Sequence, residues 1–325
     1  MRRIIATALA LTGGALGAAA APFAAALAQG AGTPGDVAAG SPPVAGTAAT
    51  QGAGSAADAG LTHGPAMIGA PHNWGLGLQE AAGPVKEAIH NFNDLVLWII
   101  IAITAFVGIL LLWVIWRYNA RRNPVPSRTS HHTYLEIAWT VLPVLILLVI
   151  AIPSFRLIYY EDRAVEPDMT IAVQGRQWYW HYGYPDNGNF EFDSYPVAEA
   201  DLKPGQLRNL AVDNPLVVPV GAKVRVLTTG HDVIHSFFVP SLGVQKYSIP
   251  GRSMETWFEA DREGTFYGQC NQICGTNHWF MPIAVRVVSR PEFDAWVAEA
   301  RTRFARNEGP GWPEELRTTV AENRP

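Results

Sequence analysis

Two long apolar segments lie in the first half of the chain and predict a pair of membrane-spanning helices. Residues 95–116 and residues 137–155 each contain no charged side chain. At 1.5 Å per residue, segments of this length cross or nearly cross the roughly 30 Å hydrocarbon core of a bilayer. We therefore predict a transmembrane hairpin over residues 85–160.

The loop between these two segments is basic and predicts their orientation. The loop contains Arg117, Arg121, Arg122 and Arg128, and no acidic residue follows the first segment before Glu136. Short loops rich in arginine stay on the cytoplasmic side of a membrane. We therefore expect both flanks of the hairpin to face the periplasm of a bacterial inner membrane, with the loop in the cytoplasm.

The first 84 residues predict a targeting segment followed by a linker. A basic start, a short apolar run and the small residues Ala26 and Ala28 predict a signal peptide over residues 1–28. Residues 29–84 are rich in alanine, glycine and proline. Because such a composition buries little apolar surface, we expect this linker to be disordered.

After residue 169 the pattern changes to short alternating runs separated by glycine and proline, which predict β-strands. The clearest predicted strands are residues 170–173, 216–218, 223–227 and 283–288. An all-β sandwich over residues 169–290 is the natural interpretation. Residues 291–325 predict a partly helical, polar tail.

The charge balance excludes one class of partner. The net charge is −4 and no long basic cluster occurs, so we expect no nucleic acid to bind.

The only two cysteines of the chain lie in one short segment with further metal-binding residues. Cys270 and Cys274 are followed by His278 and Met281, and thiolate, imidazole and thioether ligands suit copper. Two cysteines on one loop can bridge two copper ions if a second histidine completes the set, and His235 is the best candidate. A zinc site built from the same cysteines and histidines, or a simple disulfide, is the alternative.

Several motifs resemble subunit II of bacterial and mitochondrial cytochrome c oxidase. The motifs lie at residues 175–180, 192–195, 232–243, 249–252 and 267–282. The resemblance implies a membrane-anchored α+β protein with a cupredoxin-like β-sandwich and a dinuclear copper centre, CuA. It implies Cys270 and Cys274 as bridging ligands and His235 and His278 as terminal ligands, with Met281 and the Gln272 carbonyl as weak ligands.

Gln272 departs from the family pattern, which usually has glutamate at this position. Copper ligation through the backbone carbonyl is unaffected by that change. The carboxylate that relatives offer to a magnesium ion at the subunit I interface is replaced by a neutral amide, so the resemblance implies at most a weakened magnesium site.

Further roles follow from the same resemblance. Trp178 matches the tryptophan through which electrons arrive from cytochrome c. Asp186, Asp193 and Asp232 match acidic positions around that docking site. Glu136 matches a glutamate at the mouth of a proton path into subunit I.

The implied function is that of an electron-transfer subunit of an oxidoreductase. The copper centre accepts electrons from cytochrome c and passes them to haem in subunit I, where oxygen is reduced to water and protons are pumped. Subunits I and III and membrane lipid are the implied partners. A quinol oxidase subunit without copper, or a copper carrier or assembly factor, is the alternative.

Overall fold

The computed structural model describes residues 67, 69–162, 164, 166–304, 316, 318 and 319. The predicted signal peptide, most of the predicted linker and most of the tail after residue 304 lie outside the described residues.

The described chain contains three α-helices and ten β-strands. The helices are α1 Pro84–Arg117, α2 Thr133–Asp162 and α3 Arg290–Arg303. The strands are β1 Met169–Arg176, β2 Tyr179–Tyr184, β3 Phe190–Ser194, β4 Leu216–Pro219, β5 Lys223–Gly230, β6 His235–Val239, β7 Val244–Ser248, β8 Met254–Glu259, β9 Gly264–Cys270 and β10 Pro282–Val288.

Helices α1 and α2 confirm the predicted hairpin, because both are long and apolar enough to cross a membrane. Helix α1 has 34 residues, which corresponds to about 51 Å at 1.5 Å per residue. This length exceeds a bilayer core of about 30 Å, so the first turns of α1 extend beyond the predicted span. Those turns contact the β-domain, where Val85 packs against Trp257.

The ten strands form two five-stranded sheets that pack face to face, which confirms the predicted sandwich. Their orders are β3-β2-β1-β5-β8 and β4-β10-β9-β6-β7. The pairs β1–β5 and β4–β10 are parallel, and the other pairs are antiparallel. All four predicted strands are present, whereas β2, β3 and β6 to β9 were not predicted individually.

Large aromatic side chains fill the space between the sheets. Trp180 and Tyr182 project inward at alternate positions of β2 and meet Phe237 of the opposite sheet edge to face. Strand periodicity places every second residue on the core face, which makes β2 aromatic on that face. The core therefore extends to the first residue of β6, His235.

The sandwich is attached to the end of α2 by side chains of β8. Trp257 Nε1 donates to the Tyr160 carbonyl at 2.7 Å, and Thr256 Oγ1 donates to the Glu161 carbonyl at 3.1 Å. The last carbonyls of a helix lack partners within the helix, so these donors satisfy them. This contact fixes the sandwich directly to the membrane hairpin.

The end of the predicted disordered linker is ordered, so that prediction is wrong for residues 69–84. Gly69 N donates to the Thr265 carbonyl at 3.1 Å, and Ala82 N donates to the Ser241 carbonyl at 2.9 Å. Ala82 belongs to the main hydrophobic core. Small residues allow this segment to lie close against the sheet, where hydrogen bonds compensate for its few apolar side chains.

Helix α3 confirms the predicted helical start of the tail and covers one edge of the sandwich. Phe293, Val297 and Ala300 are buried against the core. Ser289 begins the helix in a capping box, in which its side chain accepts from Glu292 N and its own N–H donates to the Glu292 carboxylate.

Replacing Ser289 by alanine tests the contribution of this cap. Loss of an N-cap side chain costs about 1 kcal/mol, which corresponds to roughly fivefold faster opening of the helix. Hydrogen exchange of α3 amides in the full chain should show that increase, whereas Ser289→Asp should restore slow exchange. Unchanged exchange in Ser289→Ala would contradict the capping role.

Candidate metal centre

One end of the sandwich brings together the residues that the sequence predicts as metal ligands. His235 is the first residue of β6, Cys270 is the last residue of β9, and Cys274 and His278 lie in the loop from β9 to β10. Phe237 of β6 pairs with Cys270 of β9, which sets the two strands side by side. Sheet register therefore places His235 beside the cysteine loop despite the distance in sequence.

The two sulfurs form the middle of the site and each has an imidazole beside it. Cys270 Sγ and Cys274 Sγ are 3.8 Å apart. His235 Nδ1 is 3.8 Å from Cys270 Sγ, and His278 Nδ1 is 3.7 Å from Cys274 Sγ. A disulfide would require about 2.05 Å between the sulfurs, so the two cysteines are free thiols here.

These separations suit a metal site built from soft donors. His235, Cys270 and Cys274 offer ligand atoms that all lie within 4.8 Å of one another, and His278 Nδ1 adds a fourth donor beside Cys274. Thiolate and imidazole ligands suit copper.

His235 is held from three sides. Its Nε2 lies 2.9 Å from Asp232 Oδ1, which leaves Nδ1 facing Cys270. A carboxylate on the outer nitrogen fixes the tautomer and the ring orientation of a metal-binding histidine. Gly175 of β1 lies directly under the ring, since an added Cβ would come within 2.7 Å of it. Trp180 contacts the same ring edge to face.

The turn between β1 and β2 touches the other cysteine. Gln177 Nε2 donates to the Cys274 carbonyl at 2.8 Å, and Trp178 Nε1 lies 3.3 Å from the same oxygen. Gln177 N also donates to Asp232 Oδ2 at 2.8 Å. One partly exposed turn thus contacts the backbone at Cys274 and, through Asp232, the ring of His235.

Gln272 and Met281 both lie close to Cys270. The Gln272 carbonyl is 3.3 Å from Cys270 Sγ. Met281 is 1% exposed and shares the main core cluster with both cysteines. Its carbonyl accepts from Cys270 N at 3.1 Å, which closes the loop at its base.

The two thiols differ in acidity. Burial raises the pKa of Cys270, but hydrogen bonds with His235 and with the backbone at Gln272 and Ser236 outweigh it and lower the pKa to about 6. Burial and the neighbouring Cys270 raise the pKa of Cys274 to about 12. Without a metal the pair therefore prefers one thiolate and one thiol, and a cation between the sulfurs would stabilise both thiolates.

The three predicted docking acids do not form one patch. Asp232 lies beside Trp178 but has the second role of orienting His235. Asp193 of β3 pairs with His181 of β2 and lies near the stacked rings of Tyr179 and Tyr195. Asp186 accepts from Thr170 N, and Thr170 is five residues before Gly175, or about 16 Å along β1. Asp186 is thus at the opposite end of this strand.

Glu136 lies in the first turn of α2, far from the sandwich. Its Oε1 accepts from His132 N at 3.2 Å. Asp162 at the other end of the same helix is 26 residues away, or about 39 Å along the axis. The position is that of a helix N-terminal acid on the side of the basic loop.

Gln177 and Gly175 are site residues that the sequence did not single out. Both lie in the motif at residues 175–180, of which only Trp178 was given a role. The Asp232–His235 spacing of three residues was the available signal for an orienting carboxylate. No comparable signal marks Gly175, because its role depends on a cross-sheet approach to His235.

Comparison with protein-family models agrees with this architecture. The model "Cytochrome C oxidase subunit II, periplasmic domain" matches residues 169–288. The model "Cytochrome C oxidase subunit II, transmembrane domain" matches residues 71–157. Together they cover both apolar spans and the whole sandwich.

Individual relatives carry the same description. The probable cytochrome c oxidase subunit 2 of Rickettsia bellii (strain RML369-C) is 50% identical over 73% of this chain and 88% of its own length. The mitochondrial subunit 2 of Vigna unguiculata is 46% identical over 72% of this chain and 64% of its own length. Among solved structures, the periplasmic domain of subunit II of cytochrome oxidase (CoxB) of Bradyrhizobium japonicum is 52% identical, covers 44% of this chain and 99% of that chain, and has a TM-score of 0.41.

A buried histidine beside Asp193 has a raised pKa. His181 Nδ1 lies 2.7 Å from Asp193 Oδ1, and its Nε2 lies 3.4 Å from Glu191 Oε2. Burial acts to lower the pKa of His181, but the hydrogen bonds with Asp193 and Glu191 outweigh it. Burial acts to raise the pKa of Asp193, but its bond with His181 leaves that pKa lowered.

These shifts predict a stability that depends on pH. The raised pKa of His181 stabilises the folded state fully below the unfolded value of about 6.5, and that contribution is lost as pH rises through the folded pKa. The Tm of the full chain should exceed that of His181→Gln at about pH 6, and the gap should shrink by about pH 9. Asp193→Asn should weaken the same pH dependence. A gap that stays constant or grows with pH would contradict the assignment.

Proposed function

The chain belongs to the cytochrome c oxidase subunit II family, and we propose that its site is a dinuclear copper centre of the CuA type. In this proposal the centre accepts electrons from cytochrome c and passes them to haem in subunit I of a haem-copper oxidase. The chain is then one subunit of an oxidoreductase, and the reduction of oxygen takes place in its partner.

One observation carries this proposal: two buried thiols 3.8 Å apart each have a histidine nitrogen beside them, at 3.8 Å and 3.7 Å. Soft sulfur and imidazole ligands suit copper. A quinol oxidase subunit without copper would have no use for this set of four side chains. A copper carrier would need an exposed site for exchange, whereas Cys270 and Cys274 are 5% and 4% exposed.

The residues of this chain would hold and tune the metal. When bound there, a pair of copper ions would supply one-electron redox chemistry, with its charge shared over the two sulfurs. Cys270 is ready to bind as a thiolate because its pKa is about 6. Asp232 keeps the outer nitrogen of His235 occupied, and Met281 is buried in the same hydrophobic cluster as both cysteines. Ligands fixed in this way move little when the charge of the centre changes.

Trp178 is the proposed point at which electrons arrive. Its indole is partly exposed and its Nε1 lies 3.3 Å from the Cys274 carbonyl, so it links the surface to a bridging ligand. Asp193 and Asp232 are the acids near this surface, and we propose that they attract a basic cytochrome c. Asp186 is omitted from this docking surface because it lies at the other end of β1.

The remaining partners follow from the membrane placement. We propose that the hairpin lies in a bacterial inner membrane against subunit I, with subunit III in the same complex and the sandwich in the periplasm. The basic loop supports this orientation. Glu136 would then lie at the cytoplasmic mouth of a proton path. Gln272 offers an amide where a magnesium ligand is expected, so we propose at most weak magnesium binding.

Copper stoichiometry of the purified full chain tests the two-metal site. Wild type should bind two copper ions per chain, and Cys274→Ser should bind no more than one because a bridging sulfur is lost. Gln272→Ala should keep two, since the backbone carbonyl remains in place. A wild-type chain that saturates with one copper ion would contradict the proposal.

Replacing Trp178 by phenylalanine in the assembled oxidase tests the electron route. Phenylalanine has no N–H to bond the Cys274 carbonyl, so transfer from reduced cytochrome c should slow by an order of magnitude or more, while the copper absorption stays unchanged. Trp279→Phe is the matched control, because Trp279 is an exposed tryptophan on the β9–β10 loop that also carries Cys274. A wild-type rate in Trp178→Phe, or an equal loss in the control, would exclude this route.

A further inference from the structure

A short loop before the first helix exposes large apolar side chains. We call residues 70–79 the Trp74 loop; in it Trp74 is 95% exposed and Leu76 is 99% exposed. The loop contains no aspartate, glutamate, lysine or arginine. Exposed apolar groups of this size commonly mark a surface that contacts a membrane or another protein.

Hydrogen bonds hold the Trp74 loop to the rest of the structure at both of its ends. Before the loop, Gly69 N donates to the Thr265 carbonyl at 3.1 Å. At its end, Gln79 Oε1 accepts from Ser241 Oγ at 2.8 Å, and the Gln79 carbonyl is 2.9 Å from His90 Nε2. Between these points Gly75 N donates to the His72 carbonyl, which closes a tight turn that carries Trp74 outward.

The bond between Gln79 and His90 sets the level of the loop relative to the bilayer. His90 is five residues before Leu95, where the charge-free span begins, or about 7.5 Å along α1. Leu78 lines a cavity of about 440 Å³ whose walls come from the ends of α1 and α2, including Leu157, and from β6 to β8 of the sandwich. Leu157 is two residues after the second span, or about 3 Å. The headgroup layer is about 5–7 Å thick on each side, so Leu157 lies within it, and the Gln79 end of the loop, at the level of His90, lies at its outer edge.

We propose that the Trp74 loop inserts Trp74 and Leu76 into the headgroup layer of the periplasmic leaflet, so that the ligand is phospholipid. Tryptophan is enriched at this depth because its ring is apolar while its N–H can still meet polar groups. The apolar residues Trp74, Leu76 and Leu78 alternate with Gly75 and Gly77, which gives separate anchors rather than a continuous surface.

A protein partner fits these observations less well. A stable protein interface needs shape complementarity and a polar rim, and the glycines that separate the anchors provide neither. A lipid layer needs only buried apolar area. The loop would thus attach the sandwich to the membrane at a point separate from the contact between α2 and β8. This inference depends on the membrane placement of the hairpin and not on copper, so its failure would leave the copper centre untouched.

Photo-crosslinking in native membranes separates lipid from protein as the neighbour of this loop. We would place the photoreactive residue p-benzoylphenylalanine at position 74, and separately at position 76, in the full chain of the assembled oxidase. Both side chains are almost fully exposed, so neither replacement should disturb the fold. Glu299 on α3 is the control position, because α3 covers the sandwich edge formed by β3 and β4, away from the contact of β8 with α2.

After illumination, mass spectrometry should find phospholipid adducts on peptides that contain position 74 or 76, several-fold above the level at position 299. Covalent products with another subunit at both loop positions would overturn the proposal. Lipid adducts no more frequent than at position 299 would overturn it as well, since the loop would then face water.

Discussion

Two buried cysteine sulfurs held 3.8 Å apart without a bond between them are the constraint on which the site depends. At this separation the thiols are too distant for a disulfide and close enough to share metal ions. Neither position is free to adjust, because Cys270 ends a core strand and Cys274 is held through its carbonyl by Gln177. The burial that raises the cost of two thiolates is the same burial that favours a bound cation between them.

The turn between β1 and β2 connects this constraint to the protein surface. Gln177 and Trp178 both reach the Cys274 carbonyl, and Gln177 N also holds the carboxylate that orients His235. A partner that docks on Trp178 would therefore contact the same short turn that holds the backbone of Cys274 and, through Asp232, the ring of His235. The path from the docking surface to the cysteines would then be short.

Much of this architecture could be predicted from the sequence, and the exceptions have physical causes. Two charge-free segments predicted the hairpin, because span length is a local property. The cysteine-rich loop predicted a cluster of soft donor side chains, and the fold brings His235 beside Cys270. The order around residues 69–84 was missed, since Ala82 is buried by tertiary contacts that composition does not reveal. Asp232 was interpreted as a docking acid, and its bond to His235 becomes evident only when β6 is placed beside the metal loop.

The electron paramagnetic resonance spectrum of the copper-loaded full chain would show whether the sulfurs of Cys270 and Cys274 bridge two copper ions. Bridging sulfurs should delocalise one unpaired electron over two copper nuclei, because each copper would have one histidine and both thiolates. The spectrum should therefore show hyperfine structure from two copper nuclei. A spectrum with the unpaired electron confined to a single copper nucleus would contradict bridging by these sulfurs.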